Sequence, residues 1–324
     1  MINETKYFIL DRAPDSSWKG TVKRALAPLA ARTYRCLMDL YHPGPQPEKK
    51  YRVAICAIFK NEGPYFREWL EFHRIVGVDH FYLYNNNSDD NFREILAPYI
   101  AEGLVTLIEW PQQQAQMQAY WDCIARFRGE TRWIGFIDLD EYVVPRKMDT
   151  IYEALQPMEK NRPAVMLYWR VFGSSGRMVR DRTGLVTEDF TVCWPKYDSI
   201  GKMFYNTAYD PAPDAPQNSA MHHRQWARYN GILMPPVNMD DMVCIWEQCQ
   251  VKSDDFPIQI NHYFTKSYQE YGEKRARGDV YFKINPHDEA YFFEHEMRCT
   301  ATDYSAYRFL IHLKKKMKEV TVNN

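Results

Sequence analysis

The sequence predicts an α/β fold with a mostly parallel central sheet flanked by helices, and three observations carry that prediction. The runs Val53–Phe59 and Trp133–Ile137 are apolar throughout, as strands covered on both faces must be. Segments of helical periodicity alternate with further strand-like runs. Short polar turns follow the strands, so right-handed crossovers would gather those turns at one edge of the sheet.

A chain of 324 residues can bury one large core or two modest ones. Its 41 basic and 42 acidic residues leave a net charge of −1, which provides no global field for nucleic acid. Aromatic residues make up 15%, compatible with stacking surfaces for sugars or bases and equally with an aromatic core. The seven cysteines (36, 56, 123, 193, 244, 249, 299) are scattered and odd in number, and Cys244 and Cys249 lack the spacing of a zinc pair. They read as reduced core residues of a cytoplasmic protein. No apolar run has transmembrane length, and the residues after Met1 do not form a signal peptide.

Residues 1–50 are expected to be an N-terminal appendage and linker. Trp18–Tyr41 suits a helix in which Lys19, Lys23, Arg24, Arg32 and Arg35 are spread among Val22, Leu26, Leu29, Leu37 and Leu40, with Pro28 breaking or kinking it. Packing on the main domain is the expectation; peripheral contact with an anionic membrane is the alternative. His42–Pro47 reads as the linker.

The main domain is expected over 51–285. After the first strand, Lys60–Pro64 is a turn opening a helix whose Phe66, Trp69, Leu70, His73 and Val76 form one stripe, with His73 as a packed, hydrogen-bonded core histidine. Gly77 suits the helix C-cap. His80–Tyr84 and Leu104–Trp110 are strands, Asn85–Asp90 is a loop, and Ala115–Phe127 is a helix. The Trp133 strand then ends on Asp138-Leu139-Asp140-Glu141. Alternation would point Asp138 and Asp140 the same way and turn Leu139 inward. Two adjacent carboxylates repel and call for a cation, and hard oxygens suit Mg²⁺ or Mn²⁺ shared with a nucleotide diphosphate. The same pattern also opens haloacid-dehalogenase-type phosphatases, with Asp138 as nucleophile. Later, Pro163–Trp169 is a strand, Gly173–Gly176 a flexible turn, Ile258–Phe264 a strand, and Ser267–Arg277 a charged helix. Residues 198–260 carry little periodic signal; His222-His223 and Asp240-Asp241 would shape an acceptor pocket or lie on the surface. Arg177, Arg180 and Arg182 would meet phosphate or an acidic acceptor, or form a solvated run. Residues 286–324 are expected as a C-terminal helical extension that includes Lys314–Lys318.

Lys60–His73, Gly77–Ser88 and Phe136–Tyr142 resemble the opening motifs of the glycosyltransferase family 92 (DUF23) domain, and Phe172–Gly176 and Asn261–Ser267 continue the likeness in order. The resemblance implies a Rossmann-like GT-A fold, a nucleotide-sugar donor (UDP-galactose favoured), a divalent metal and inverting transfer to a hydroxyl of a glycan acceptor. A phosphatase would need its motif on the first strand of the fold, whereas here other strands and their turns precede it. A retaining transferase would keep the same metal site, and a non-catalytic nucleotide-sugar- or glycan-binding protein would bind donor without turnover.

With the resemblance come expectations for single residues. Lys60, Asn61, Glu62 and Asn86 would border the nucleotide, with the Asn86 amide at the imide edge of the base. Gln118 and Asp122 share a helix face that would look toward the donor. Asp138, Asp140 and His262 would hold Mn²⁺ or Mg²⁺, and Lys266 would neutralise the leaving diphosphate. Glu188 is the expected base, with Asp189 as runner-up.

Overall fold

The structure is a computed structural model that describes residues 9–10, 16–245, 253, 255–276 and 287–322. Its centre is a nine-stranded sheet. Strand β1 (Tyr51–Phe59) is followed by α2 (Gly63–Ile75), β2 (His80–Asn85), α3 (Phe92–Ala101), β3 (Val105–Glu109), α4 (Gln116–Phe127) and β4 (Thr131–Phe136). These four strands are parallel, in the order β3-β2-β1-β4. That is the expected α/β crossover unit of a GT-A-type fold. Val53 to Phe59 are all buried, which is why this strand reads as an unbroken apolar run.

Beyond β4 the sheet is mixed rather than parallel. After β5 (Glu141–Pro145) and β6 (Ala164–Val171), β7 (Gly201–Asn206) inserts antiparallel between β4 and β6. Strand β8 (Val237–Asn238) and β9 (Ile258–His262) both run parallel to β6, and β5 pairs antiparallel with β9. The approach of β7 to β6 is close enough that a Cβ at Gly201 would sit 1.8 Å from the Leu167 carbonyl oxygen. Glycine is the residue that fits there.

Two of the longer helices differ from expectation. Helix α3 has no counterpart among the predicted elements; Phe92, Leu96 and Tyr99 bury its inner stripe although Pro98 lies inside it. Helix α1 (Trp18–Leu40) runs continuously through Pro28. It packs on the main domain: Met38 is buried, Tyr34 meets the Trp226 ring edge-on at 5.6 Å, and Asp39 lies 2.7 Å from the Arg162 guanidinium. His73 is the buried histidine that was expected. Its Nδ1 lies 2.8 Å from the Trp69 carbonyl, and the Val143 N–H donates to its Nε2 at 3.1 Å. Burial pushes its pKa down to about 3.

Shorter helices complete the frame around the site. Helix α5 (Ile151–Leu155) follows β5. Helix α6 (Val186–Asp189) is capped by the buried Glu68 carboxylate, which accepts from the Val186 and Thr187 N–H groups. Helix α7 (Tyr268–Ala276) follows β9, and α8 (Glu289–Met297) comes next among the described residues. Helix α9 (Tyr307–Val322) lays Phe309 and Leu313 against α2, with the Phe72 and Phe309 rings 5.7 Å apart. The described cysteines form no disulfide; Cys249 lies outside the described residues. No described helix is long and apolar enough to cross a membrane.

Candidate active site

The turns at the carboxyl ends of β1, β2 and β4 share one edge, as the crossovers require, and open into a cleft of about 1080 Å³. Lys60, Glu62, Asn86, Asp138, Asp140 and His262 all line it. Asp138 and Asp140 lie in a tight turn rather than on a continuing strand. The Asp138 N–H donates to Glu141 Oε2 at 2.9 Å, and the Glu141 N–H returns to the Asp138 carbonyl at 3.1 Å. Both aspartates still reach the cleft.

Each of the two carboxylates meets a lysine. Lys202 Nζ, on β7 and 1% exposed, lies 2.7 Å from Asp138 Oδ2 and 3.6 Å from Glu141 Oε2. Burial alone would lower its pKa; Asp138 and Glu141 outweigh that and raise it. Lys274 Nζ, on α7, lies 2.6 Å from Asp140 Oδ2. Burial would push the Asp140 carboxyl up, but Lys274, His262 and Lys266 together hold it well below the usual carboxylate range. Glu141 shifts the other way: complete burial, aided by Asp138 and Asp140, raises it despite Lys202.

His262 ends β9 with Nε2 3.7 Å from Asp140 Oδ1 and its ring tilted on Trp169 at 4.5 Å. Burial lowers its pKa to about 3, so the imidazole is neutral at physiological pH. Asp140, Glu141 and His262 offer ligand atoms within 4.8 Å of one another. Glu141 Oε1 and His262 Nδ1 are buried and make no hydrogen bond. Hard oxygens, a neutral imidazole and uncommitted donor atoms fit a divalent cation.

On the opposite flank, Asn61 ties the first two turns together. Its N–H donates to Ser88 Oγ, and its Oδ1 accepts from the Asp89 N–H, each at 2.9 Å. Its φ of 55° is the left-handed conformation that asparagine tolerates. Asn86 lines the cleft but spends its amide nitrogen on the Trp110 and Gln112 carbonyls, both at 2.7 Å. Only its oxygen is left for a base, so the two-way amide pairing expected of it is not available.

Other expected residues stand elsewhere. Asp122 does not line the cleft; it accepts from the Tyr84 hydroxyl at 2.7 Å and pairs with Arg126 at 3.4 Å. The residue of α4 that reaches the site is Gln116, whose amide donates to Asp138 Oδ1 at 3.2 Å. The face of α4 that meets the cleft is therefore rotated from the expected one, by the turn between positions 116 and 118. Lys266 is buried behind the cleft wall, with Nζ 4.0 Å from the centre of the Tyr65 ring, and burial lowers its pKa. Glu188 lies outside the cleft lining: because Glu68 fixes the start of α6, its carboxylate turns to Lys314 of α9 at 2.5 Å. Asp189 pairs with Arg177 at 3.0 Å and Arg180 at 3.5 Å. Asp241 serves the α1 contact, 2.5 Å from Arg162 and 2.7 Å from Arg35. Arg182 pairs with Glu273 of α7.

The cleft also contains one carboxylate that the sequence did not single out, Asp198, together with the His222-His223 pair, for which a pocket was one of the two expected places. Asp198 is buried and lines it, accepting from the Ile200 N–H at 3.1 Å. His222 and His223 line it too, with their rings 3.9 Å apart. The signal for Lys202 was a lone lysine opening the apolar run Met203–Tyr205. Lys274 had none, being one charge among several on a charged helix.

A family model described as Glycosyltransferase family 92 matches residues 49–277. A glycosyltransferase family 92 protein of Ricinus communis is 35% identical over 101 residues, 31% of this chain and 18% of that one. A galactan β-1,4-galactosyltransferase of Arabidopsis thaliana, GALS3, is 30% identical over 135 residues, 38% of this chain and 27% of the relative. A β-1,4-galactosyltransferase of Caenorhabditis elegans, galt-1, is 28% identical over 123 residues, 33% of this chain and 29% of the relative. The matched stretch thus spans less than a third of each relative's length. Among solved structures, S. aureus TarS 1-349 in complex with UDP-GlcNAc is similar at a TM-score of 0.32 and 13% identity, over 48% of this chain and 46% of that one.

Proposed function

Because the chain belongs to glycosyltransferase family 92, we propose that it is a glycosyltransferase moving a sugar from a nucleotide-sugar donor to a hydroxyl of a glycan acceptor. The observation that carries this reading is the convergence of Lys60, Glu62, Asn86, Asp138, Asp140 and His262 on one cleft at the carboxyl edge of the sheet. UDP-galactose is the first donor to test, since GALS3 and galt-1 are both named as galactosyltransferases.

Asp140 and His262, with Asp138 and Glu141 on the same turn, are the residues that would hold Mn²⁺ or Mg²⁺. The ion would supply positive charge to the departing diphosphate. The chain's own residues have separate tasks. Lys202 fixes the Asp138 carboxylate from below the cleft floor. Asn61 clamps the two turns that border the nucleotide. Trp169 packs on His262 and sets its ring orientation.

Inversion needs a carboxylate to take the acceptor proton while its oxygen attacks the anomeric carbon and the diphosphate departs from the opposite face. Asp198 has that role in this reading, because it is buried and lines the cleft while Glu188 does not. The test is a transfer assay with UDP-galactose across glycan acceptors, alongside calorimetry of UDP with and without Mn²⁺. Metal-dependent UDP binding with sugar transfer supports the reading. Tight donor binding without turnover on any acceptor would make the protein a binder instead.

A further inference from the structure

We propose that α1 is an in-plane docking helix that seats the protein on an anionic lipid surface. The helix has two apolar faces. One, with Ala27, Tyr34 and Met38, faces the domain. The other is exposed: Trp18 at 73%, Leu29 at 67%, Leu26 at 53% and Val22 at 46%. At helical rotation these four residues fall within an arc of about 80°, roughly half a turn from Ala27. A large apolar stripe of this kind, pointing away from the domain core, is rare on a soluble surface.

Charge decides what covers it. Lys19 and Lys23 border the stripe on one side, and Arg24 and Arg32 on the other, by helical position. The helix has five basic residues against one acidic residue, Asp39, in a chain whose net charge is −1. Asp39 is tied to Arg162 on the domain side. Pairing two copies of α1 through the stripe would set basic rows against basic rows. An anionic bilayer instead accepts the apolar stripe between its acyl chains while the lysines and arginines extend to the headgroups. Trp18 at the helix start suits the interfacial layer. The helix lies on such a surface and does not span it, consistent with its hydropathy.

The position is useful to the cleft. Helix α1 contacts Trp226 and Asp241, and His222 and His223, close to Trp226 in the chain, line the cleft. Lipid seating would therefore bring the cleft near a surface-bound acceptor, although the seating itself is independent of the reaction performed there.

The test is flotation of the full chain with phosphatidylcholine vesicles, with and without phosphatidylglycerol. Two variants accompany it, Leu26→Ser/Leu29→Ser and Lys19→Glu/Lys23→Glu. All four positions are solvent-exposed, so unchanged thermal midpoints will show that both variants fold. The wild type should float only with the anionic vesicles, less so at high salt. Each variant should bind at least about ten-fold more weakly. Absence of wild-type flotation, or variants that float like wild type, would overturn the proposal. So would a dimer in sedimentation velocity that Leu26→Ser/Leu29→Ser dissociates while vesicle binding is absent, because the stripe would then be a contact between copies.

Discussion

Lys274 Nζ lies 2.6 Å from Asp140 Oδ2, so α7 delivers a cation to the very carboxylate expected to bind metal. The ammonium also sits 4.5 Å from the centre of the Phe264 ring, which keeps it in place. A divalent ion at Asp140 must compete with this internal counter-ion. Lys274→Met should therefore raise Mn²⁺ affinity several-fold in calorimetry, and Asp140→Asn should abolish it. Equal Mn²⁺ affinity in wild type and Lys274→Met would mean that lysine and metal do not share the carboxylate.

Lys202 presents the opposite case, a buried cation whose loss leaves charge behind. Lys202→Met strands Asp138 and the fully buried Glu141. The expected cost is about 1–3 kcal/mol, below that of a fully buried pair, because Asp138 is partly exposed and burial already favours the neutral form of Glu141. Urea unfolding measures it, and Lys202→Met/Asp138→Asn should recover part of the loss. A single variant as stable as wild type would show that the pair contributes nothing to folding.

Asp198 and Glu188 separate by kinetics. Asp198→Asn should cut transfer by roughly two to four orders of magnitude, mainly in kcat, with UDP affinity near wild type. Glu188→Gln should alter transfer little, since it loses only a half-exposed contact to Lys314. The reverse ranking would return the base to α6 and require α9 to move.

His73 predicts acid sensitivity. Burial lowers its folded pKa to about 3 from an ordinary 6.5. Between those values the unfolded chain binds a proton that the folded chain does not, so stability falls as pH drops through that window. The slope is about 1.4 kcal/mol per pH unit for one such group. His80 and His295, both lowered to about 4 by burial, add slope in the same direction. His73→Gln should remove one proton's worth of slope in unfolding measured from pH 6 to 4. An unchanged slope would mean that His73 titrates normally in the folded protein.

The sequence by itself determined the strands of the crossover unit and the cleft edge. Strands β1, β2 and β4 each contain a continuous apolar run, and the turns at Lys60, Asn86 and Asp138 follow from where those runs stop. Local physics suffices there: a buried parallel strand must be apolar, and its polar terminator must fall at the carboxyl end. The motifs of 51–280 likewise identified the family without coordinates. Tertiary structure decided the charge arrangement of the site. Lys202 comes from a strand 64 residues beyond Asp138, inserted antiparallel beside β4, and Lys274 from a helix 134 residues beyond Asp140. A lone lysine before an apolar run hints at Lys202 and nothing marks Lys274, but no local pattern names the partner of either, because a buried ion pair is made by two distant segments meeting and periodicity records only what one segment does. The same reason explains Glu188 and Asp122. Asp122 lies in the expected helix and Glu188 in a short helix that was not expected, and in both the direction of the side chain is set by packing: Glu68 capping α6, and Tyr84 holding Asp122 on α4.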